Sequence, residues 1–402
     1  MSEGRLRRAI LYAILFGTML MFGLIESVRG VSFPLIRNEF DLPFERQGLM
    51  VSLFSLAFVL SNIIAGIFLG RFGIKSSAFA GYSSICLGIA FVFFVPGFSL
   101  VAFSLFVVFF GFGFLDVGMN ALASRLFVTK AAMQMNLLHA FYGIGSIIGP
   151  LVAGLVVTVG GHGWRSAYVL MLPVVLLLFA MAVFARFPRD DTATAEPECD
   201  TNANASHKTF FDALRSPMVW LLALALGIGV AVESNTSNWG PLYFYDLYEI
   251  DPATDGARFL SVFFLLFTVS RLVCGPIVER AGYVRSLIAA TALTLVVLVV
   301  GFSLGARGIF VLPALGFLVA LFWPTLMAVS IVSFGRDAPV FGGALIAISG
   351  IVNTASQYLV GLTNRIFGPA WGYRSTIVYT VALVVLLSFV YRELRRRKVK
   401  NL

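Results

Sequence analysis

The decisive stretch of this chain is Leu226-Gly-Ile-Gly-Val-Ala-Val-Glu-Ser-Asn-Thr-Ser-Asn-Trp-Gly-Pro-Leu242, an apolar segment interrupted by polar residues. Part of its pattern occurs twice. Glu26-Ser27 and Pro34-Leu35 are repeated 207 residues later as Glu233-Ser234 and Pro241-Leu242. Other pairs keep this offset, among them Ala140 and Ala347, Gly143 and Gly350, and Gly154 and Gly361. A repeat of this length predicts two similar multi-helix halves that face each other across a shared interface.

The composition is that of a membrane protein. Apolar residues make up 59% of the chain, charged residues make up 12%, and the mean hydropathy is +0.92. Runs long enough to cross a hydrocarbon core of about 30 Å lie at 9–36, 47–70, 76–96, 100–124, 135–158, 166–186, 217–243, 256–278, 286–305, 309–333, 342–366 and 375–391. We therefore expect an all-α protein with twelve membrane spans in the lipid bilayer, arranged as two pseudo-symmetric bundles of six.

Charge and composition predict the orientation and the domains. Twenty of the 29 lysines and arginines lie in the termini and the even-numbered connections, which places both termini in the cytoplasm by the positive-inside rule. Residues 1–187 form the first bundle, 188–216 a cytoplasmic linker, and 217–402 the second bundle. The first apolar run is too long for a signal peptide and is interpreted as an uncleaved helix.

Several classes of function are disfavoured by the residues present. The three cysteines, Cys86, Cys199 and Cys274, are dispersed and suggest neither a disulfide nor a metal site. The net charge of +9 follows the membrane topology, so we do not expect a nucleic-acid partner. The chain shows no pairing of a nucleophile with a base and no phosphate loop. We expect no cofactor, no enzymatic activity and a monomer.

A loop signature occurs once in each half. Gly275-Pro-Ile-Val-Glu279-Arg280-Ala-Gly282-Tyr-Val-Arg285 fits the pattern G-x3-[DE]-R-x-G-x2-[RK], and its first-half copy has Gly66, Arg71 and Gly73 but lacks the acid. Small residues let two helix ends approach, and glycine permits a tight turn. On this motif the chain resembles the major facilitator superfamily over its whole length, which implies that fold and assigns these residues to its gating loops.

Acidic residues inside spans predict a site for a coupling ion. Asp116 and Asn120 lie one turn apart in span four, and a charge there is costly unless it faces water or a partner. Asp116 is therefore a candidate proton carrier, although it could instead form a permanent ion pair with Arg29. Glu26 and Arg29 are close enough in span one to neutralise each other.

Span seven repeats this arrangement. Glu233 is the repeat counterpart of Glu26, and Asn235, Asn238 and Trp239 add polar groups to span seven. Pro241 frees the carbonyl of Ser237 as Pro34 frees that of Gly30. Glu233 could alternatively lie near the outer end of the helix.

The motifs Asp116-Val-Gly-Met-Asn120 and Met135-Asn136-Leu-Leu-His139-Ala-Phe-Tyr142-Gly143 sharpen the resemblance. They are similar to a family of fucose, galactose and glucose:proton symporters, as is Trp323-Pro324-Thr325 in span ten. That family has an aspartate at the position of Gly30. Gly145-x3-Gly149-Pro150-x3-Gly154 resembles the glycine-proline motif of proton-driven exporters, although close helix packing also explains it.

These patterns predict a secondary transporter in the plasma (inner) membrane. Three acids inside spans favour symport with a cation, a proton rather than sodium, over simple diffusion. A hydroxyl-rich solute such as a hexose or deoxyhexose needs amides, carboxylates and an aromatic platform. The candidate substrate residues are Asn120, Tyr142, Asn235, Asn238, Trp239, Trp323, Asn353 and Gln357, beside the coupling residues Glu26, Arg29, Asp116 and Glu233. The alternatives are a proton-driven exporter of drugs or metabolites and a receptor with a transporter fold.

Overall fold

The computed structural model describes residues 3–127, 131–159, 163–188 and 210–397. The regular elements in these ranges are all helical. The α-helices of the first half are α1 Glu3–Glu39, α2 Phe44–Phe94, α3 Phe98–Leu126, α4 Ala131–Thr158, α5 Arg165–Val169 and α6 Leu172–Phe184. Those of the second half are α7 Phe210–Leu214, α8 Pro217–Tyr248, α9 Asp255–Val273, α10 Gly275–Ala281, α11 Tyr283–Ser303, α12 Leu315–Val319, α13 Phe322–Phe334, α14 Ala338–Phe367, α15 Trp371–Arg374 and α16 Thr376–Arg396. Short 3₁₀ helices cover Gly305–Phe310, Leu312–Ala314 and Gly335–Asp337.

Eleven helices in these ranges are long and apolar enough to cross a membrane. Helix α2 accounts for two of the twelve predicted spans. Its 51 residues would extend about 75 Å, far beyond one bilayer crossing. Gly73 interrupts it with φ 76°, a conformation that favours glycine. The two ends of α2 lie at the same end of the bundle, because Arg165 binds both Glu39, just before α2, and the carbonyl of Val95, just after it. The chain thus reverses at Gly73 and the twelve predicted spans are confirmed.

The second half repeats this reversal at Gly282, where φ is 93° between α10 and α11. Other predicted spans are divided into shorter helices. Pro173 begins α6 and Pro276 begins α10, which fits the preference of proline for the first turn of a helix. The predicted span 309–333 consists of 3₁₀ segments followed by α12 and α13, with prolines at Pro313 and Pro324.

The two halves meet along two pseudo-symmetric seams. In the first, a Cβ on Gly154 of α4 would lie 2.0 Å from the Ala253 carbonyl oxygen, and Ser261 of α9 donates to the Ile147 carbonyl at 2.8 Å. In the second, a Cβ on Gly361 of α14 would lie 2.9 Å from the Cα of Gly48 in α2. Gly154 and Gly361 occupy equivalent repeat positions, so the same small residue permits both close approaches.

We call the end of the bundle that carries the chain termini the terminal end, and the opposite end the distal end. The halves are joined at the distal end by a group we call the distal gate: Arg37, Asn38, Glu45, Tyr245, Asp246 and Arg365. Arg37 Nη1 lies 2.6 Å from Asp246 Oδ1, and Asn38 Nδ2 donates to the Tyr245 hydroxyl at 2.7 Å. Arg365 Nη1 lies 3.2 Å from Glu45 Oε1. The distal end is therefore closed.

The terminal end is arranged differently. Cβ atoms built on Gly66 and Gly275 of the loop signatures would meet nothing within 4 Å, so these glycines make no close helix contact in this conformation. The sequence-based expectation that they let helix ends approach is not met here, because the halves are joined at the other end. The predicted linker 188–216 ends in the short helix α7, and its residues 189–209 lie outside the described ranges.

Candidate functional site

The acidic residues predicted from the sequence gather between the halves, in a group we call the central charged cluster: Glu26, Arg29, Asp116, Tyr142, Glu233 and Arg271. Glu26 is its hub. Arg29 Nη2 donates to Glu26 Oε1 at 2.5 Å, and the Tyr142 hydroxyl donates to Glu26 Oε2 at 3.0 Å. The predicted neutralisation of Glu26 by Arg29 is therefore seen. The Glu26 side chain keeps 37% of its surface exposed, while Arg29 keeps 12%.

Packing of α1 against α4 brings Glu26 and Tyr142 together. A Cβ on Gly23 would lie 2.0 Å from the Tyr142 carbonyl oxygen, and one on Gly145 would lie 2.1 Å from the Leu20 carbonyl oxygen. Gly149 packs in the same way against Ser27 and Leu24. The glycine-proline motif of α4 therefore serves close helix packing in this structure, as the simpler interpretation predicted.

Asp116 lies on α3 and accepts a hydrogen bond from Asn120 Nδ2 at 3.1 Å, as their spacing of one turn predicts. Asp116 also interacts electrostatically with Glu26. The alternative of a permanent Asp116–Arg29 ion pair is not formed, because the Arg29 guanidinium is held by the Glu26 side chain and by the Glu26 carbonyl at 3.0 Å. Asn120 is exposed.

Glu233 contributes the carboxylate of the second half. It interacts electrostatically with Arg271, Glu26 and Arg29, so it lies near the ion pair of the first half. The alternative position near the outer end of the helix is wrong, because α8 continues for 15 residues beyond Glu233 to Tyr248. The equivalent helices of the two halves, α1 and α8, thus present their repeated glutamates, Glu26 and Glu233, to one central space.

Arg271 was missed by the sequence analysis, which considered Arg29 but no other basic residue inside a span as part of the site. It lies on α9, within an otherwise apolar span, and interacts electrostatically with Glu233, Tyr142 and His139. An arginine inside a membrane span is a functional-site signal in its own right, because its burial is costly.

The predicted amides form a second group, the amide network: Asn235, Asn238, Trp239, Asn353 and Gln357. Gln357 is its centre. Its Nε2 donates to Asn235 Oδ1 at 2.8 Å, and its Oε1 accepts from Trp239 Nε1 at 3.0 Å and from Asn238 Nδ2 at 3.3 Å. Asn353 Oδ1 lies 3.4 Å from Gln357 Nε2. The network therefore joins α8 to α14.

Burial limits what the network offers a solute in this conformation. Asn235 and Gln357 are fully buried, and Trp239 is 1% exposed. The Asn235 Nδ2 group is buried without a hydrogen-bond partner, so one donor of the network remains unsatisfied. Trp323 lies on α13 with 37% of its surface exposed, and no hydrogen bond joins it to the network. The two tryptophans are therefore not brought together.

Gly30 explains why this chain departs from the fucose-symporter pattern. A Cβ at this position would lie 2.5 Å from the Ser237 carbonyl oxygen and 2.5 Å from a methyl carbon of Leu260. The aspartate of that pattern has no room here, because α1 and α8 cross directly at Gly30. The acid lies instead one turn earlier, at Glu26.

The gating-loop residues lie at the terminal end. Arg71, Glu279, Arg280 and Arg285 are exposed. Arg285 Nη2 donates to the Tyr391 hydroxyl at 3.2 Å, and Lys75 Nζ donates to the Val183 carbonyl at 2.6 Å. In the described part of the chain Glu279 has no ion-pair partner within 4 Å. The loops are thus not latched in this conformation.

The cluster can hold and exchange a proton among carboxylates that belong to both halves. Glu26 and Asp116 each have a donor within hydrogen-bond distance, whereas Glu233 faces a guanidinium to which it is not bonded. A rearrangement of the halves would change these distances and hence the affinity of the cluster for a proton. Among the described residues no group of three or more metal-ligating side chains could hold a metal ion.

Comparisons with known proteins agree with this architecture. Residues 15–341 match the family model described as Major Facilitator Superfamily. The L-fucose-proton symporter of Escherichia coli (strain K12) is 21% identical over 97% of this chain and 94% of its own length. The multidrug efflux pump SdrM of Staphylococcus aureus (strain N315) is 25% identical over 49% of this chain and 44% of its own length. A crystal structure of a nucleoside transporter, NupG, superposes with a TM-score of 0.76 at 12% identity, covering 95% of this chain and 100% of that one.

Proposed function

This chain belongs to the major facilitator superfamily, and we propose that, as a secondary transporter of this family, it moves a hydroxyl-rich small solute in symport with a proton. A hexose or deoxyhexose is the solute class we favour. The chain is an integral multi-pass membrane protein and a transporter rather than an enzyme. The orientation with both termini in the cytoplasm, the monomeric state and the choice of a proton over sodium are parts of the proposal.

The observation that carries the proposal is the central charged cluster. Glu26, Asp116 and Glu233 belong to three different helices of the two halves, yet they interact electrostatically with one another through Glu26. A passive pore for a neutral solute has no use for three carboxylates at membrane depth, since each is costly there. A transporter that couples solute movement to a proton needs such groups, because their proton affinity must differ between its conformations.

The distal gate supports a mechanism of alternating access. The closed distal end and the loop glycines without close contacts at the terminal end support access to the cluster from the terminal end in this conformation. In the complementary conformation the two halves would rotate about the central crossing of α1 and α8, separating the distal gate and bringing the loop glycines together. A solute and a proton bound in one conformation would then be released in the other.

The sugar preference rests on the relative that the chain matches over almost its whole length, together with the accessible polar groups. Asn120 is exposed and Asn353 is half-buried, so both can bind hydroxyl groups. The buried amide network supplies one unsatisfied donor, Asn235 Nδ2. Carboxylates and amides of this kind bind hydroxyls with well-defined orientation.

Counterflow with the reconstituted protein tests this function. Proteoliposomes preloaded with an unlabelled hexose or with L-fucose should accumulate the same labelled sugar transiently. Net entry of the sugar into vesicles without preload should acidify the lumen, because symport carries a proton in with the solute. If no sugar shows counterflow and the protein pumps a cationic dye, it is an exporter, the alternative that the similarity to an efflux pump suggests. Saturable binding without flux would instead indicate a receptor.

A further inference from the structure

Arg271 differs from the other arginines that lie between the halves. Arg29, Arg37 and Arg365 each have a carboxylate within 3.2 Å. For Arg271 the structure shows no ion pair within 4 Å and no side-chain hydrogen bond in the described part of the chain. Its Nε is buried without a partner. The guanidinium instead makes a cation–π contact with Phe267, whose ring centre lies 4.3 Å from the guanidinium carbon.

The seam between α4 and α9 places this guanidinium at the central space. A Cβ on Gly143 would lie 2.1 Å from Thr268 Oγ1, so these two positions touch across the halves. Arg271 and His139 follow one turn closer to the terminal end on their respective helices, and they interact electrostatically. Arg271 lies in the last turn of α9, two residues before Val273 and inside the predicted apolar span 256–278.

An unpaired guanidinium at this depth has a cost that its environment does not offset. Charged side chains in spans are ordinarily paired, or they face a water-filled cavity where they bind something. The neighbouring acids do not pair with Arg271: Glu26 is held by Arg29 and Tyr142, and Asp116 by Asn120. Glu233 is in electrostatic reach but forms no ion pair with it.

We propose that Arg271 is an anion subsite beside the central charged cluster, which binds the carboxylate of an acidic solute such as a sugar acid. The planar guanidinium suits a carboxylate because two parallel N–H groups meet its two oxygens. Phe267 lies against the guanidinium, with its ring centre 4.3 Å from the guanidinium carbon, and this contact favours a fixed position of the charge. The sugar part of this inference rests on the proposed function, whereas the anion subsite does not.

Matched pairs of sugars provide the test. D-Glucose and D-glucuronate differ only at C6, which is a hydroxymethyl group in one and a carboxylate in the other, and D-galactose and D-galacturonate form a second pair. Binding to the purified protein and counterflow in proteoliposomes are measured for each. We expect the acid of at least one pair to bind tenfold or more tightly than the neutral sugar.

Variants assign the preference to Arg271. Arg271→Gln should bring the acid and the neutral sugar to within about twofold of each other, and Arg271→Lys should retain part of the preference because it keeps the charge. Arg258→Gln is the matched control, since Arg258 lies on the same helix with 74% of its side chain exposed and pairs with Asp255. This control should leave the preference unchanged.

The outcomes separate the inference from the proposed function. Two outcomes overturn the anion subsite and leave the sugar symporter intact. In the first, a neutral hexose shows counterflow and its acid is not preferred. In the second, the acid is preferred but the preference survives Arg271→Gln. A third outcome is that no sugar or sugar acid shows counterflow, while acetate or malonate binds in a manner that depends on Arg271. This outcome rejects the sugar function and supports the anion subsite. If none of these anions binds in a manner that depends on Arg271, the inference is wrong.

Discussion

Gly30 and Ser237 are related by the 207-residue repeat, and they touch one another where α1 crosses α8. Pro34 and Pro241 follow each of them by four residues, so neither carbonyl accepts the usual helical hydrogen bond. The crossing therefore lies on the pseudo-twofold axis of the molecule. The Ser237 carbonyl packs directly against Gly30 there, one turn beyond Glu26, so we expect a rotation of the halves to take place about this contact.

The first prediction concerns this crossing. Gly30→Ala adds a Cβ that would lie 2.5 Å from the Ser237 carbonyl oxygen. We expect the free energy of unfolding to fall by about 1–3 kcal/mol, because backbone cannot move aside as a flexible side chain can. Thermal or denaturant unfolding in detergent measures the change. Gly70→Ala is the control, since a Cβ there meets nothing within 4 Å, and equal losses in both variants would contradict the close crossing.

The second prediction concerns the distal gate. Asp246→Asn leaves the partly buried Arg37 without its counter-ion. The loss should be smaller than the about 3–5 kcal/mol found when a fully buried pair loses one partner, because 20% of the Arg37 side chain is accessible to solvent. Because the pair forms only when the distal end is closed, we expect the population to shift toward a distal-open conformation. Spin labels at Asp41 and Arg307, in a background without the native cysteines, would report a longer distance.

Two further variants make this test specific. Arg258→Gln breaks an ion pair at the same end that is mostly exposed, with side chains 74% and 55% accessible, and should not change the distance. The double variant Arg37→Asp with Asp246→Arg should restore the shorter distance between the spin labels, because the two charges are exchanged and still attract each other. A closed distance in Asp246→Asn would show that the pair does not hold the gate.

The architecture could be predicted from the sequence because the number and order of the membrane spans depend only on hydropathy and on the internal repeat. The repeat and the hydropathy were sufficient for twelve spans in two halves, and a charged residue in an apolar run was sufficient to identify Glu26, Asp116 and Glu233. Such patterns do not show toward which neighbouring helix a given side chain points. For this reason the sequence could not show that Gln357 would bury the amides and Trp239 in one network, or that Trp323 would lie apart from it.

The distal gate was not predicted because its residues lie in connections and helix ends, where no periodicity marks them. Asn38 and Tyr245 are equivalent positions of the repeat, but nothing in their chemistry indicates that they would bond to each other. Arg271 was missed for a different reason. Its signal, a charge within the apolar segment of α9, was present in the sequence and was not used.

The third prediction concerns a buried amide in the closed distal end. Gln47 is fully buried, and neither its Nε2 nor its Oε1 has a hydrogen-bond partner. An unsatisfied buried polar group costs about 1–3 kcal/mol, so Gln47→Met should stabilise the distal-closed conformation and raise the unfolding temperature. Gln357→Met is the matched control, because that amide is also fully buried but makes several hydrogen bonds. It should destabilise the protein, and a similar response of both variants would refute the argument.

The fourth prediction is the orientation in the membrane. The excess of lysine and arginine in the even connections predicts that the termini and the central linker lie in the cytoplasm. Alkaline phosphatase fused at residue 200 should therefore be inactive, and the same enzyme fused at residue 252 should be active. A reversed pattern would place the distal gate on the cytoplasmic side and would make this structure an outward-open conformation.

The last prediction assigns the coupling proton. Asp116→Asn preserves the size of the side chain and its contact with Asn120, but an amide cannot take up and release a proton. If Asp116 carries the proton, this variant should lose uphill accumulation of solute while solute exchange across the membrane continues at a rate within a few-fold of the original. The measurement compares uptake driven by a pH gradient with counterflow at equal pH in the same proteoliposomes. Glu26→Gln serves as the comparison, because Glu26 bonds to both Arg29 and Tyr142 and its loss should impair exchange as well as accumulation. Accumulation that persists in Asp116→Asn would move the proton to Glu233, the one acid of the cluster that faces an unbonded guanidinium.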